Sequence, residues 1–194
     1  MNPRLKEQRI YQELYGQIGS DEINVYQETD TNYGRGTHGN GVVQFTLKFF
    51  KPESLLDVGC GRDNEFCKLC RDKYRIFIGE KELPRLVGVD FAAKPHKLKN
   101  IEFYNARAEE IPFKDEEFDV VTTFDMLEHI LPEDIDIVLD ELFRVAKKGV
   151  VCTIAHNQVS RGLHNIIEPE EWWEEKLKKY GKIIRYLKYW IIKK

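Results

Sequence analysis

The chain has 194 residues, 42% of them hydrophobic and 32% charged, with a net charge of −3. That length suits one domain with a substantial core, and the apolar content excludes a disordered chain. The nearly balanced charge gives no global pull toward nucleic acid, and no apolar run reaches the length of a membrane span.

Taken in chain order, residues 3–17 predict a helix with Leu5, Ile10, Leu14 and Ile18 as an imperfect apolar stripe. Residues 21–41 read as a loop, glycine-dense from Tyr33 onward, and 42–50 return to a helical pattern closed by Pro52. Strands are expected at 54–58, 86–90, 101–104, 119–123 and 149–154, and helices at 64–73, 134–146 and 168–180. The connection 91–100 is too short for a full helix, so one flank of the sheet is expected to be thinly covered. Beyond Lys176 there is no acid, and the apolar residues Ile183, Ile184, Tyr186, Tyr189, Trp190 and Ile191 predict a tight terminal strand pair with basic outer faces. Alternating strands and helices predict an α/β, doubly wound parallel sheet with helices on both faces.

Four cysteines, Cys60, Cys67, Cys70 and Cys152, are too few to frame a chain this long. Cys67 and Cys70 make a CxxC on a predicted helix without a second pair to complete a zinc site. Buried thiols, a reducing cytoplasm and no bound metal are the expectation. The polar, mixed-charge start of the chain shows no secretory leader.

The chemistry-bearing signal begins at Leu55, where an apolar strand runs into Asp57 and two glycines, Gly59 and Gly61, spaced one residue apart. Such a turn brings bare backbone to the carboxyl edge of a parallel sheet. A second strand, Leu86-Val87-Gly88-Val89, ends in Asp90 and Phe91, where a carboxylate can grip a ribose diol. Residues 106–113, from Ala106 through Glu109 to Phe113, and 118–130, from Phe118 through Leu127-Glu128-His129, follow at workable spacing. A nicotinamide site would place a third glycine near Asp63, where a carboxylate instead repels a pyrophosphate.

Together these four segments resemble the S-adenosylmethionine-dependent methyltransferases of the Rossmann-like class, over residues 54–155. The segment His164-Asn165-Ile166-Ile167, with Pro169-Glu170-Glu171-Trp172-Trp173, is similar to a bacterial subset associated with surface-polysaccharide (capsule) biosynthesis. The resemblance implies about seven strands with the last antiparallel. It makes residues 54–194 the S-adenosylmethionine-binding core and 1–53 a helical lid segment contributing to the acceptor site, in one compact domain. It implies S-adenosylmethionine as cofactor and S-adenosylhomocysteine as product. Asp57, Gly59, Cys60 and Gly61 would meet the donor's amino-acid half, with Asp57 orienting the amine. Asp90 would hold the ribose, Phe91 would pack on adenine, and Ala108 would face the adenine edge. Phe124 would close the site near the sulfonium. Arg107 stands where the family often has an acid. A guanidinium only donates, so it stacks, points outward or leaves adenine to backbone contacts, with Glu109 as a substitute acceptor.

For the acceptor, His164 is the first candidate base, in a polar loop after the fifth strand, and His156 is the runner-up. Either can equally brace the loop. His129 is read as a family motif feature that either bonds backbone or touches substrate, and His96 as solvated. Arg35 and His38, with Tyr33 among the glycines, suit an anion, as does Arg161; the same segment also reads as a plain turn. Trp172 and Trp173 suit a helix-face core better than a sugar platform. The expected partner is a small, anionic acceptor such as a sugar phosphate or nucleotide-linked precursor, methylated on oxygen. Nucleic acid is not expected, and the chain is read as a monomer or homodimer. A nitrogen or carboxylate methyltransferase is the alternative enzyme. Arg107 and the Arg62-Asp63 turn favour a third possibility, a non-catalytic S-adenosylmethionine-binding module.

Overall fold

The computed structural model describes residues 3–14, 40–79, 82–93, 97–156 and 163–194. Seven strands form one sheet: β1 (Ser54–Val58), β2 (Arg85–Val89), β3 (Glu102–Tyr104), β4 (Phe118–Phe124), β5 (Ala146–Thr153), β6 (Lys182–Tyr186) and β7 (Tyr189–Lys193). Their order is β3-β2-β1-β4-β5-β7-β6, with β1 to β5 mutually parallel and β7 antiparallel to both of its neighbours. The order reverses at β1 and β4, and ligands of open α/β sheets bind outside the carboxyl ends of strands at such a switch point. The doubly wound sheet and its antiparallel last strand match the expectation.

Period-two alternation splits the strand residues into two cores. Leu56, Val58, Val87, Val121, Val150 and Trp190 face one side. There they meet α4 (Ile135–Val145) and α5 (Glu170–Leu177) through Val138, Leu142 and Trp173. Leu55, Leu86, Val120, Val151 and Ile191 face the other side. They meet α2 (Asn40–Phe50) and α3 (Glu65–Ile78) through Val43, Leu47, Phe66 and Cys70. Because β1 and β2 are covered on both faces, Leu55-Leu56 and Leu86-Val87 are apolar on successive residues instead of alternating with polar ones, whereas the edge strand β3 stays partly exposed.

Helix α2 lies in the segment read as a lid, yet its Val42, Val43 and Leu47 are fully packed in the second core. Helix α3 runs five residues past the predicted end, to Ile78, where Gly79 adopts the left-handed conformation and its N–H bonds to the Arg75 carbonyl. The predicted 168–180 helix divides into α5 and a 3-10 turn, Lys178–Tyr180. All four cysteines are buried and unbridged, and burial pushes their thiols up, so the CxxC is unreactive packing. No helix of the described residues is long and apolar enough to cross a membrane.

Helix α1 (Pro3–Leu14) crosses the carboxyl ends of the strands, although its sequence stripe is weak. Arg4 pairs with Asp134 before α4 at 2.6 Å, and the Gln8 amide donates to the Phe91 carbonyl after β2 at 3.3 Å. Tyr11 packs edge-on against both Phe91 and His129. Specific contacts from Arg4, Gln8 and Tyr11 hold this helix over the switch point.

Candidate active site

The turn after β1 has its backbone amides already committed. The Gly59 and Cys60 N–H groups both donate to the Val89 carbonyl, at 2.8 and 3.1 Å, and Gly61 N–H donates to Asp90 Oδ2 at 3.0 Å. Such a turn cannot cradle a phosphate with those donors, unlike a dinucleotide loop. Gly59 has φ +73°, and a Cβ there would lie 2.6 Å from Met126 Cγ, so glycine is what lets the β4 end approach the turn. Cys60 Sγ turns inward and donates to the Gly61 carbonyl. A ligand therefore meets backbone at this position.

Asp90 is first of all a clamp. Its Oδ1 accepts the Ala92 and Ala93 amides at 2.9 and 2.8 Å while Oδ2 holds Gly61, which locks the β1 and β2 turns together. The side chain is 4% exposed, so any ribose contact comes in addition to those bonds.

Asp57 is buried equally deeply and accepts from Thr122 Oγ1 at 2.7 Å. The two residues are register partners on β1 and β4, so their side chains share one face. Burial pushes the Asp57 carboxyl up to about 7, against the Thr122 hydrogen bond that lowers it and with the Asp90 charge adding to the rise. Two desolvated carboxylates at one rim make a site that favours a cationic ligand group.

Beside β2, the Arg107 guanidinium lies 4.8 Å from the centre of the Phe91 ring and bonds Glu109 Oε1 at 2.9 Å. Of the alternatives open for Arg107, stacking is the one adopted. It covers one face of the ring expected to carry adenine, and it occupies the Glu109 oxygen read as a substitute acceptor. Ala108 sits half-buried against the first core.

Past β4, the 3-10 turn Leu127–His129 brings together a second group. His129 Nδ1 lies 2.9 Å from the Leu163 carbonyl, and the ring stands edge-on to His164 with centroids 4.7 Å apart. A carbonyl only accepts, so Nδ1 carries the proton and Nε2 the lone pair. Burial lowers the His129 pKa to about 4, which keeps the ring neutral. Glu128 is wholly buried; its Oε1 accepts the Ala155 amide, and its backbone carbonyl accepts the Asn165 and Ile166 amides. Glu128 Oε2 is buried with no hydrogen-bond partner among the described residues, and burial pushes its carboxyl up to about 7.

A family model described as a methyltransferase domain matches residues 39–187. The chain belongs to that family. A demethylmenaquinone methyltransferase of Alkalihalophilus pseudofirmus is 31% identical over 68% of this chain and 62% of its own length. A norajmaline N-methyltransferase of Rauvolfia serpentina is 30% identical over 62% of this chain and 42% of its own. The methyltransferase domain thus spans less than two thirds of these curated relatives. Among solved structures, the magnesium protoporphyrin IX methyltransferase of Synechocystis PCC 6803, with S-adenosylmethionine bound, superposes with a TM-score of 0.57. It covers 100% of this chain and 98% of that one at 14% identity, a likeness of fold.

In this methyltransferase domain the expected residues divide by place. Asp57, Gly59, Gly61, Asp90 and Phe91 line the paired turns. His129 and His164 come together, and His164 is buried at 7% exposure where a polar loop was expected. His156 is elsewhere engaged: its Nδ1 lies 3.0 Å from the Glu168 carbonyl and its Nε2 3.8 Å from Glu170, which fits the bracing role. Phe124 is a correction. Its ring packs between Phe66 and Tyr189 in the second core, because β4 continues to residue 124 and gives it the parity of Val120. Met126, which sequence reasoning missed, is the side chain against the glycine turn. Thr122 and Glu128 were missed as well; a lone threonine in a strand gives no signal, whereas Glu128 was legible beside His129. Trp173 is fully buried, and Trp172 lies between Trp173 and Lys176, as helix-face packing. Tyr33, Arg35, His38, His96 and Arg161 lie outside the described residues.

Proposed function

We propose that this protein transfers the methyl group of S-adenosylmethionine to an oxygen of a small acceptor. The observation that carries the donor assignment is the buried Asp57–Asp90 pair at the switch point, beside a turn whose amides are spent on β2. A sulfonium and an ammonium suit such a site, and a pyrophosphate does not. Asp57 orients the donor amine, Asp90 bonds the ribose, and Phe91 packs on adenine on the ring face away from Arg107.

Transfer is an in-line displacement: the acceptor oxygen bonds the methyl carbon, the carbon–sulfur bond breaks, and S-adenosylhomocysteine leaves. The protein supplies collinearity and dryness, with α1 over the strand ends as the water-excluding wall. The acceptor is placed on the side of Glu128, His129 and His164, where His164 takes the hydroxyl proton. For the acceptor we retain an anionic carbohydrate-type molecule, a sugar phosphate or nucleotide-linked precursor of a surface polysaccharide, bound by the 1–53 segment and by Arg161. The N-methyltransferase relative favours nitrogen as the second reading, since a neutral amine attacks without prior loss of a proton.

Calorimetric titration tests the donor: saturable heat with S-adenosylhomocysteine and none with NADH is expected, and the reverse overturns the proposal. Release of S-adenosylhomocysteine from sugar-phosphate and nucleotide-sugar pools, against a pool of amines, decides the acceptor atom.

A further inference from the structure

We infer that Glu128, His129 and His164 form a site for one divalent first-row transition-metal cation, with Zn2+ as its simplest occupant. One ligating atom from each of the three lies within 4.8 Å of the other two. Tetrahedral zinc, with bonds of about 2.1 Å, needs ligand separations of roughly 3.4 Å, so side-chain adjustment of about 1.4 Å at most closes the set. Two of the three residues are buried, unlike the exposed acidic clusters that gather by chance.

Two further observations point to a cation. Glu128 Oε2 is fully buried and lacks a hydrogen-bond partner among the described residues, a desolvation cost that a bound cation removes. His129 is held through Nδ1 by the Leu163 carbonyl, which leaves Nε2 to ligate; metal-bound imidazoles are oriented by backbone carbonyls in this way. The loop that delivers His164 is fastened to the same turn, because Asn165 and Ile166 donate to the Glu128 carbonyl and the Asn165 amide side chain donates to the His129 carbonyl. Three ligands are thus preassembled from two segments. Two imidazoles and one carboxylate select zinc, cobalt, nickel or iron over magnesium or calcium, and three protein ligands leave a coordination position open.

The role of that position rests on the methyltransferase reading above. A hydroxyl acceptor bound there loses its proton to solvent more readily, its oxygen then bonds the methyl carbon, and the carbon–sulfur bond breaks. In the metal-loaded protein His164 is a ligand; the proton-taking role given to it above belongs to the metal-free protein.

The test begins with chelator-treated full-length protein titrated with Zn2+ alone by calorimetry, and with Co2+ by visible absorption. One saturable site per chain is expected, weakened at least tenfold in Glu128→Gln and in His164→Gln, with a Co2+ spectrum of nitrogen and oxygen ligation that both variants lose. S-adenosylhomocysteine affinity, unchanged in each variant, reports that the fold is intact. Absent saturable binding, or binding undiminished in both variants, overturns the site. Methyl transfer is scored separately: a tenfold loss on chelation, restored by Zn2+, supports the Lewis-acid role. Full activity of metal-free protein overturns that role while leaving the site standing. Metal bound stoichiometrically by a protein that ignores S-adenosylhomocysteine refutes the methyltransferase reading and not the site.

Discussion

The charge state of Asp57 should govern donor affinity near neutral pH. Its carboxyl is pushed from an ordinary 3.8 up to about 7 by burial, so roughly half of the free protein carries it ionised at pH 7 and about a tenth at pH 6. The donor's ammonium stays largely protonated over that interval and selects the ionised form. Lowering the pH from 7 to 6 should therefore weaken S-adenosylhomocysteine binding about fivefold, or about 1 kcal/mol. At pH 7 binding should release about half a proton, visible as a calorimetric enthalpy that varies with the ionisation heat of the buffer. Asp57→Asn should bind more weakly and lose both dependences. The ligand-free protein gives the opposite slope. A carboxyl raised in the folded state binds more protons there than in the unfolded chain. Its contribution to stability is therefore full below pH ~4 and declines as the pH rises toward 7, by at most about 1.4 kcal/mol per pH unit. Urea midpoints across that window should fall in the wild type and flatten in the variant. An affinity constant within twofold between pH 6 and 7, with no buffer dependence, refutes the reasoning.

Thr122→Val removes the hydroxyl that bonds Asp57 Oδ1 and should shift the pH midpoint of S-adenosylhomocysteine binding upward, read from the same titrations. Gly88→Ala places a methyl 2.2 Å from Asn64 Nδ2 and 2.8 Å from Cys60 Sγ, so it should destabilise by about 1–3 kcal/mol in urea unfolding. Trp173→Ala empties the space under α5 and should cost about 3–5 kcal/mol by the same measurement, with donor affinity nearly unchanged in the folded fraction. Arg107→Ala uncovers one face of Phe91 and should change donor affinity measurably in calorimetry; an unchanged constant would remove that ring from the adenine contact.

The strands were legible because each is a short apolar run bounded by glycine, proline or charge. β1 was read at its observed bounds, since Ser54 and Gly59 bracket Leu55 to Val58 so sharply. The Asp57 and Asp90 positions followed from strand ends, a local property. What was not legible depends on contacts far apart in sequence. Tyr11 meets Phe91 and His129 across α1, and nothing in residues 3–14 announces that. Phe124 was misplaced by one residue of strand length, which in a period-two element exchanges the interior of one face for the mouth of the site. The turn amides could not be assigned either, because their acceptor, Val89, lies on another strand. His164 was picked out as chemically important, but its burial against His129 comes from the Glu128 carbonyl receiving the loop.

Strand β7 wedges between β5 and β6, and it carries Trp190, Ile191 and Ile192 into both cores. A chain that emerges in order therefore makes β6 before the neighbour that will hold it. Until the β6–β7 hairpin docks, β5 keeps an unzipped border and two apolar surfaces lack their closing row. Once docked, β6 becomes the sheet's outer margin, where exposed Lys182 sets a charge against pairing with another chain, while Arg185 turns onto the Trp190 ring and pairs with Glu170.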